Sequence, residues 1–235
     1  MSTLNVLSGG AAQGLVRSLA STFKAMTGLD IEGEFGAVGA MADKLRNGAP
    51  ADIVILTAPI VARFSEEKLV VPSSIRDLGL VETALAVRTG DPPVVAKDAP
   101  SLRDVLLVSD TIFVPDLKAS TAGIHVANVL EQLGIISEVA DRLKIFPNGA
   151  TAMRHLAESD TRRPIGCTQS TEIISTKGVV LSGTLPPGCD LATMYTAAVT
   201  TSATAPQQAQ RLIDLLASGD ASDLRSRAGF VTGPK

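Results

Sequence analysis

Between Leu4 and Leu56 the apolar residues keep changing their spacing, and the order of those changes restricts the fold more than any other feature of the chain. Leu4 to Leu7 is a short apolar run closed by Ser8-Gly9-Gly10, after which Leu15, Val16, Leu19, Phe23 and Met26 recur at helical spacing up to Gly28. Ile31, Gly33 and Phe35 alternate as a strand, and Met41 and Leu45 mark a short helix. Ala51-Asp52-Ile53-Val54-Ile55-Leu56 then reads as a strand buried on both faces. Strand, helix, strand, helix, strand in that order predicts a parallel sheet covered by helices.

The alternation returns downstream. Thr111 to Val114, Leu143 to Phe146, Pro164 to Thr168 and Val179 to Leu181 read as strands. Ala122 to Leu133, ending at Gly134, and Ala150 to Glu158 read as helices, and Pro206 opens another that carries Leu212, Ile213, Leu215 and Leu216. No repeat of fixed period and no long Gly/Ser/Pro linker interrupts the chain, whose 235 residues suffice for one large domain or two interlocked small ones.

Composition narrows the function classes. Hydrophobic residues at 45% exclude disorder, while 3% aromatics, a single Tyr (Tyr195) and a net charge of −3 argue against nucleic acid, whose binders need stacking platforms and cations. No apolar run reaches the roughly 20 residues that span a bilayer, so no membrane insertion is expected. Met1 to Ser8 lacks the basic and apolar segments of a secretion signal, which gives a cytoplasmic expectation, or a periplasmic one if a leader has been removed. Cys167 and Cys189 form no C-x-x-C pair and, with His125 and His155, show no metal-ligand spacing; no metal and no cofactor are expected. Gly9, Gly10 and Gly14 with Glu34 depart from the dinucleotide fingerprint, and G-x-S-x-G and Walker motifs are absent.

In open parallel sheets ligands sit beyond the carboxyl ends of the strands, where helix N-termini present free N–H groups. Five strand-to-helix junctions are built from small or hydroxyl-bearing residues: Ser8-Gly9-Gly10-Ala11, Gly36-Ala37-Val38-Gly39, Ser120-Thr121-Ala122-Gly123, Asn148-Gly149-Ala150 and Thr168-Gln169-Ser170-Thr171. Close backbone approach, neutral donors and helix dipoles together predict an anion cradle that needs no metal.

These junctions resemble the molybdate-binding proteins of ABC transporters, within the type 2 periplasmic-binding-protein superfamily, over nearly the whole chain. Asn47-Gly48-Ala49-Pro50-Ala51-Asp52-Ile53-Val54-Ile55 carries the likeness most specifically, joined by Ala122-Gly123-Ile124 and Gly166-Cys167-Thr168-Gln169. The resemblance implies an α/β fold of two Rossmann-like lobes joined by extended crossover strands, with a ligand cleft between lobes that hinge shut on a small anion. Lobe one is expected over Met1 to Glu82 plus Met194 to Lys235 and lobe two over Thr83 to Thr193, with Val81 to Val87 and Ala192 to Val199 as crossovers. A transporter partner is expected only if a leader has been removed.

Where that family holds its oxyanion with a Ser at each of the first two junctions and a Tyr at the last, this chain has Ala11, the Val38-Gly39 pair and Gln169. The ligand so implied is a carboxylate rather than molybdate or tungstate. Thr168 to Ile173 and the later Leu185-Pro186-Pro187 have the look of generic substrate-binding members, and a divergent branch of the superfamily is similar to aconitate isomerase, a cofactor-free enzyme. Such an isomerase would move a proton across an allylic system, with His125, Asp116 and Glu172 the candidate bases and Lys118 and Arg154 the carboxylate partners. A ligand-sensing regulator is a third class and would need a partner surface.

Overall fold

A computed structural model describes residues 3–231. Its first strand, β1 (Thr3–Gly9), turns through a short 3-10 segment at Gly10–Ala12 into α1 (Gln13–Thr27). Leu15, Val16, Leu19 and Phe23 bury one face of α1, each contributing roughly 1.5–3 kcal/mol, and Gly28 ends it in the left-handed conformation (φ 75°) with its N–H on Lys24 O. β2 (Asp30–Gly36), α2 (Val38–Arg46), β3 (Ile53–Thr57) and α3 (Ala58–Glu66) follow. All five residues of β3 are buried, as the unbroken apolar run requires.

β4 (Arg76–Arg88) carries the chain from one compact unit, Met1–Val81 with Thr193–Lys235, into a second, Glu82–Ala192. The second unit begins its helices with α4 (Ala99–Val108), which Asp98 opens with a capping box to Ser101. β5 (Thr111–Pro115), α5 (Thr121–Gln132), α6 (Ile136–Val139), β6 (Leu143–Phe146), α7 (Gly149–Ala157), β7 (Pro164–Gln169), α8 (Ser170–Ile174) and β8 (Val179–Thr184) complete it. β6, β5 and β7 run parallel, and β4 joins β7 antiparallel while also pairing β8 across an irregularity between Leu85 and Ala86.

β9 (Ala192–Val199) returns the chain to the first unit, where α9 (Pro206–Ala217) and α10 (Ser222–Arg227) are followed by a bridge of Val231 to Leu80. There β1 pairs β2 and β3 in parallel and β3 pairs β9 antiparallel, Ile53 opposite Val199 and Thr57 opposite Tyr195. Leu4, Phe23, Ile53, Ile55, Phe64, Leu212 and Ile213 lie in one buried cluster of this unit; Leu85, Leu102, Ile112, Leu130 and Ile165 lie in another within the second.

The buried Asp52 ties the first unit's core strands to its last helices. One carboxylate oxygen accepts from Asn5 N (2.8 Å) and the other from Thr204 N (2.7 Å), Thr204 Oγ1 (3.0 Å) and Ala205 N (3.0 Å), just ahead of Pro206. Burial alone would raise this carboxyl, but these hydrogen bonds outweigh it and hold it below the usual aspartate range. Within Asn47 to Ile55, Asp52 therefore has a structural role.

Candidate anion site

In the first unit two of the sequence-read junctions come together. Ser8 is buried at the end of β1 with its hydroxyl on Gly9 O, and Gly10 and Ala11 lie in the short turn that follows. A Cβ built on Gly9 would stand 3.0 Å from Val38 Cγ2 and 3.0 Å from the Tyr195 ring, so the first junction packs directly on the start of α2, where Gly39 follows Val38. A methyl at Gly9 would force the Val38 and Tyr195 side chains to give by a few tenths of an ångström. Tyr195, 1% exposed, is a member of the site that period and spacing did not single out; its one signal was its solitude in an aromatic-poor chain.

In the second unit Thr168, Gly149 and Glu172 meet. Thr168 Oγ1 donates to Glu172 Oε2 at 2.6 Å, and a Cβ on Gly149 would lie 1.9 Å from that oxygen and 2.1 Å from Thr168 Oγ1. Burial raises the Glu172 carboxyl, while the Thr168 hydroxyl and the backbone N–H groups of Gln169, Ala150 and Gly149 pull it back. The start of α7 is thus already held by a carboxylate of the chain itself, and Asn148 Oδ1 accepts Thr151 N at 2.9 Å to satisfy a further donor. Gln169, Ser170 and Thr171 are buried beside it, and Thr171 Oγ1 is a buried side-chain oxygen without a hydrogen-bond partner among the described residues.

Ser120, Thr121 and Ala122 open α5 close to the end of β5. A Cβ on Gly123 would fall 2.0 Å from Asp116 O, which fixes the loop against the helix. Asp116 Oδ1 accepts from Lys118 N and Ala119 N, which holds its carboxyl below the ordinary range and keeps it charged. His125 Nε2 lies 2.8 Å from Cys189 O, so this ring is engaged by the loop after β8. Lys118 lies in the Asp116 turn, and Arg154 donates to Thr151 Oγ1 on its own helix. Cys167 is pushed up to about 12 by burial and is a core thiol.

Helix starts divide by how their donors are used. α4 and α7 are capped by Asp98 and Asn148, and α3, α4 and α9 place Pro in their first turn, removing a donor. The starts of α2 and α5 carry neither a side-chain cap bond nor a Pro, so they keep their first-turn N–H groups and partial positive charge, whereas α1 continues from the 3-10 turn with Gln13 N already on Gly10 O. Among the described residues no group of three or more His, Cys, Asp or Glu could hold a metal ion, and no helix is long and apolar enough to cross a membrane.

Residues 4–231 match the family described as bacterial extracellular solute-binding protein. An aconitate isomerase of Pseudomonas sp is 24% identical, covering 100% of this chain and 89% of that protein. The molybdate-binding protein ModA of Escherichia coli K12 is 22% identical, covering 97% and 88%. The periplasmic molybdate-binding protein of Azotobacter vinelandii superposes with a TM-score of 0.82 at 18% identity over 98% of this chain and 100% of that one, which makes the fold that of the type 2 periplasmic binding proteins.

Proposed function

The chain belongs to the bacterial extracellular solute-binding protein family, and from that premise we propose that it captures a small organic anion, a carboxylate in preference to a metal oxyanion. What supports this reading, in each unit taken by itself, is an uncapped helix start, α2 in the first and α5 in the second, which keeps its first-turn N–H groups among small neutral residues. Ser8 to Ala11 and Val38-Gly39 supply the donors of the first unit. Ser120 to Ala122 supply those of the second, with the Thr171 hydroxyl an additional unspent group among the described residues, while Thr168 and Gln169 are engaged by Glu172. Asn148 to Ala150 contribute by seating Glu172 beside that set.

The preference for carboxylate rests on side chains. Ala11, Val38 and Gln169 offer no hydroxyl where a tetrahedral oxyanion would draw on several, whereas a flat carboxylate is served by a pair of N–H donors. The family's description as extracellular weighs against a cytoplasmic setting and makes an ABC transporter a fitting partner.

A second reading, isomerisation of an unsaturated tricarboxylate between its cis and trans forms, is favoured by the aconitate isomerase relative together with Glu172. One methylene proton would leave, the C=C bond would shift by one position, and a proton would return at the far carbon, so the step needs no oxidant and no cofactor. Of the three candidate bases, Glu172 is the one whose burial raises it toward the range such exchange requires. Oriented N–H groups would carry the charge that develops on the carboxylate.

The test is a thermal-shift series with molybdate, tungstate, sulfate, citrate and both aconitates, followed by proton NMR of each stabilising ligand in heavy water. A tricarboxylate is expected to raise Tm most, through mass action on the folded state. Stabilisation by molybdate alone overturns the carboxylate reading. A change in isomer ratio or loss of the vinyl proton signal makes the isomerase reading primary.

A further inference from the structure

We propose that the second unit carries a separate ligand site, for a small monoanion with an apolar body, in the cavity at the amino end of β7. The cavity holds about 360 Å³ and is lined chiefly by Val87, Pro92, Val94, Val105, Val108 and Ile165. That volume falls in the lower part of the roughly 300–1,000 Å³ typical of small-molecule sites, and the predominance of apolar walls is the usual composition of such sites.

Charge complementarity sets the class of ligand. Three charged side chains line the cavity, Asp91, Arg162 and Arg163. Asp91 is neutralised by Arg88 at 2.7 Å, and Arg163 by Asp110 at 3.1 Å. Arg162 makes neither a hydrogen bond nor a salt bridge among the described residues, although it adds to the positive field on Asp110. The cavity is therefore apolar with one uncommitted guanidinium, which suits a single carboxylate on an aliphatic or aromatic body and disfavours both a cation and a polyanion.

The walls are fixed before any ligand arrives. Ser182, from β8, bonds both the N–H and the carbonyl of Val94, and Asp91 N closes a turn onto Arg88 O at 3.0 Å. Arg142 reaches Ser109 O at 2.7 Å, which anchors the stretch between α4 and β5. Val108 remains 53% exposed at the rim, an apolar surface that a bound body would cover. The site is distinct from the anion cradle: β7 begins at Pro164, which lines the cavity, and reaches Thr168 and Gln169 at its other end. Its length of six residues corresponds to roughly 17 Å at about 3.3 Å per residue.

The experiment titrates the whole chain, labelled at its valine methyls, with hexanoate, hexan-1-ol and hexylamine. Hexanoate is expected to shift the methyls of Val87, Val94, Val105 and Val108 saturably, and Arg162→Gln to weaken it about tenfold while leaving hexan-1-ol unchanged. Val108→Trp, placed at an exposed position so that the fold survives, is expected to obstruct the mouth and abolish both responses with spectral dispersion intact. Absence of saturable shifts at these valines, equal hexanoate affinity in the Arg162→Gln protein, or hexylamine binding as tightly as hexanoate overturns the proposal. Neither variant is expected to alter the tricarboxylate thermal shift, so this site and the anion cradle stand or fall separately.

Discussion

Thr168 and Glu172 face one another across a single turn: the buried threonine hydroxyl donates to Glu172 Oε2 at 2.6 Å, and both press on the bare Cα of Gly149. A carboxyl group of the protein thus occupies the amide-rich start of α7, as an internal version of the ligand class proposed for the neighbouring junctions.

Gly149→Ala is expected to destabilise the fold by about 1–3 kcal/mol, because its methyl would land on Glu172 Oε2 and Thr168 Oγ1 and force the helix start outward. Gly219→Ala, where an added methyl meets nothing, is the control and is expected to stay within about 0.5 kcal/mol of the parent. Urea denaturation of the two variants measures the difference; equal midpoints would mean that α7 shifts freely.

Glu172→Gln tests the raised carboxyl. A folded-state pKa above the unfolded value favours folding fully below the ordinary glutamate range, and that advantage fades as pH rises through the raised value. Parent stability relative to the Gln variant is expected to fall across that window when Tm is followed from pH 4 to pH 8. A relative stability that climbs with pH would show that the site prefers the charged form.

Asp52→Asn runs in the opposite direction. Its carboxyl is held below the ordinary range, so the stability it lends is present above that range and lost as pH falls through the depressed value. At neutral pH the variant is expected to lose about 2–4 kcal/mol, since an amide NH2 would face the N–H groups of Asn5, Thr204 or Ala205. The gap between parent and variant in urea midpoints should close under acid; a gap constant from neutral to strongly acid pH would separate the loss from charge.

Ala11→Ser combined with Gln169→Tyr returns hydroxyls to the first and last junctions. Molybdate affinity, read from concentration-dependent Tm, is expected to rise at least tenfold while the carboxylate response weakens. An unchanged molybdate response would remove side-chain hydroxyls as the basis of ligand choice.

Much of the architecture was legible because it rests on local periodicity. β1, α1 and β3 announce themselves through Leu4 to Leu7, Leu15 to Phe23 and Ile53 to Leu56. α4 is less legible: Asp98 and Pro100 signal a start, but Leu102, Val105, Leu106, Leu107 and Val108 form a nearly continuous apolar run that fits a buried strand as well as a helix. The junction glycines and hydroxyls could be read as a class, yet their division of labour could not. Whether the N–H groups before α7 face a ligand or Glu172 depends on a contact made only when β7 and β6 flank β5. The packing of Tyr195 against Gly9 likewise exists only once β9 has paired with β3.

The path of β4 and β9 has a consequence for the order of assembly. Residues 82–192 form one uninterrupted stretch whose ends meet, with Thr83 N bonded to Leu191 O at 2.9 Å, so the inner unit is complete in sequence as soon as that stretch has left the ribosome. The outer unit must wait. Its sheet lacks β9, and Asp52 lacks Thr204 and Ala205, until the chain beyond residue 192 has been made. During synthesis, the unit that supplies β1 is therefore completed after the unit it encloses in sequence.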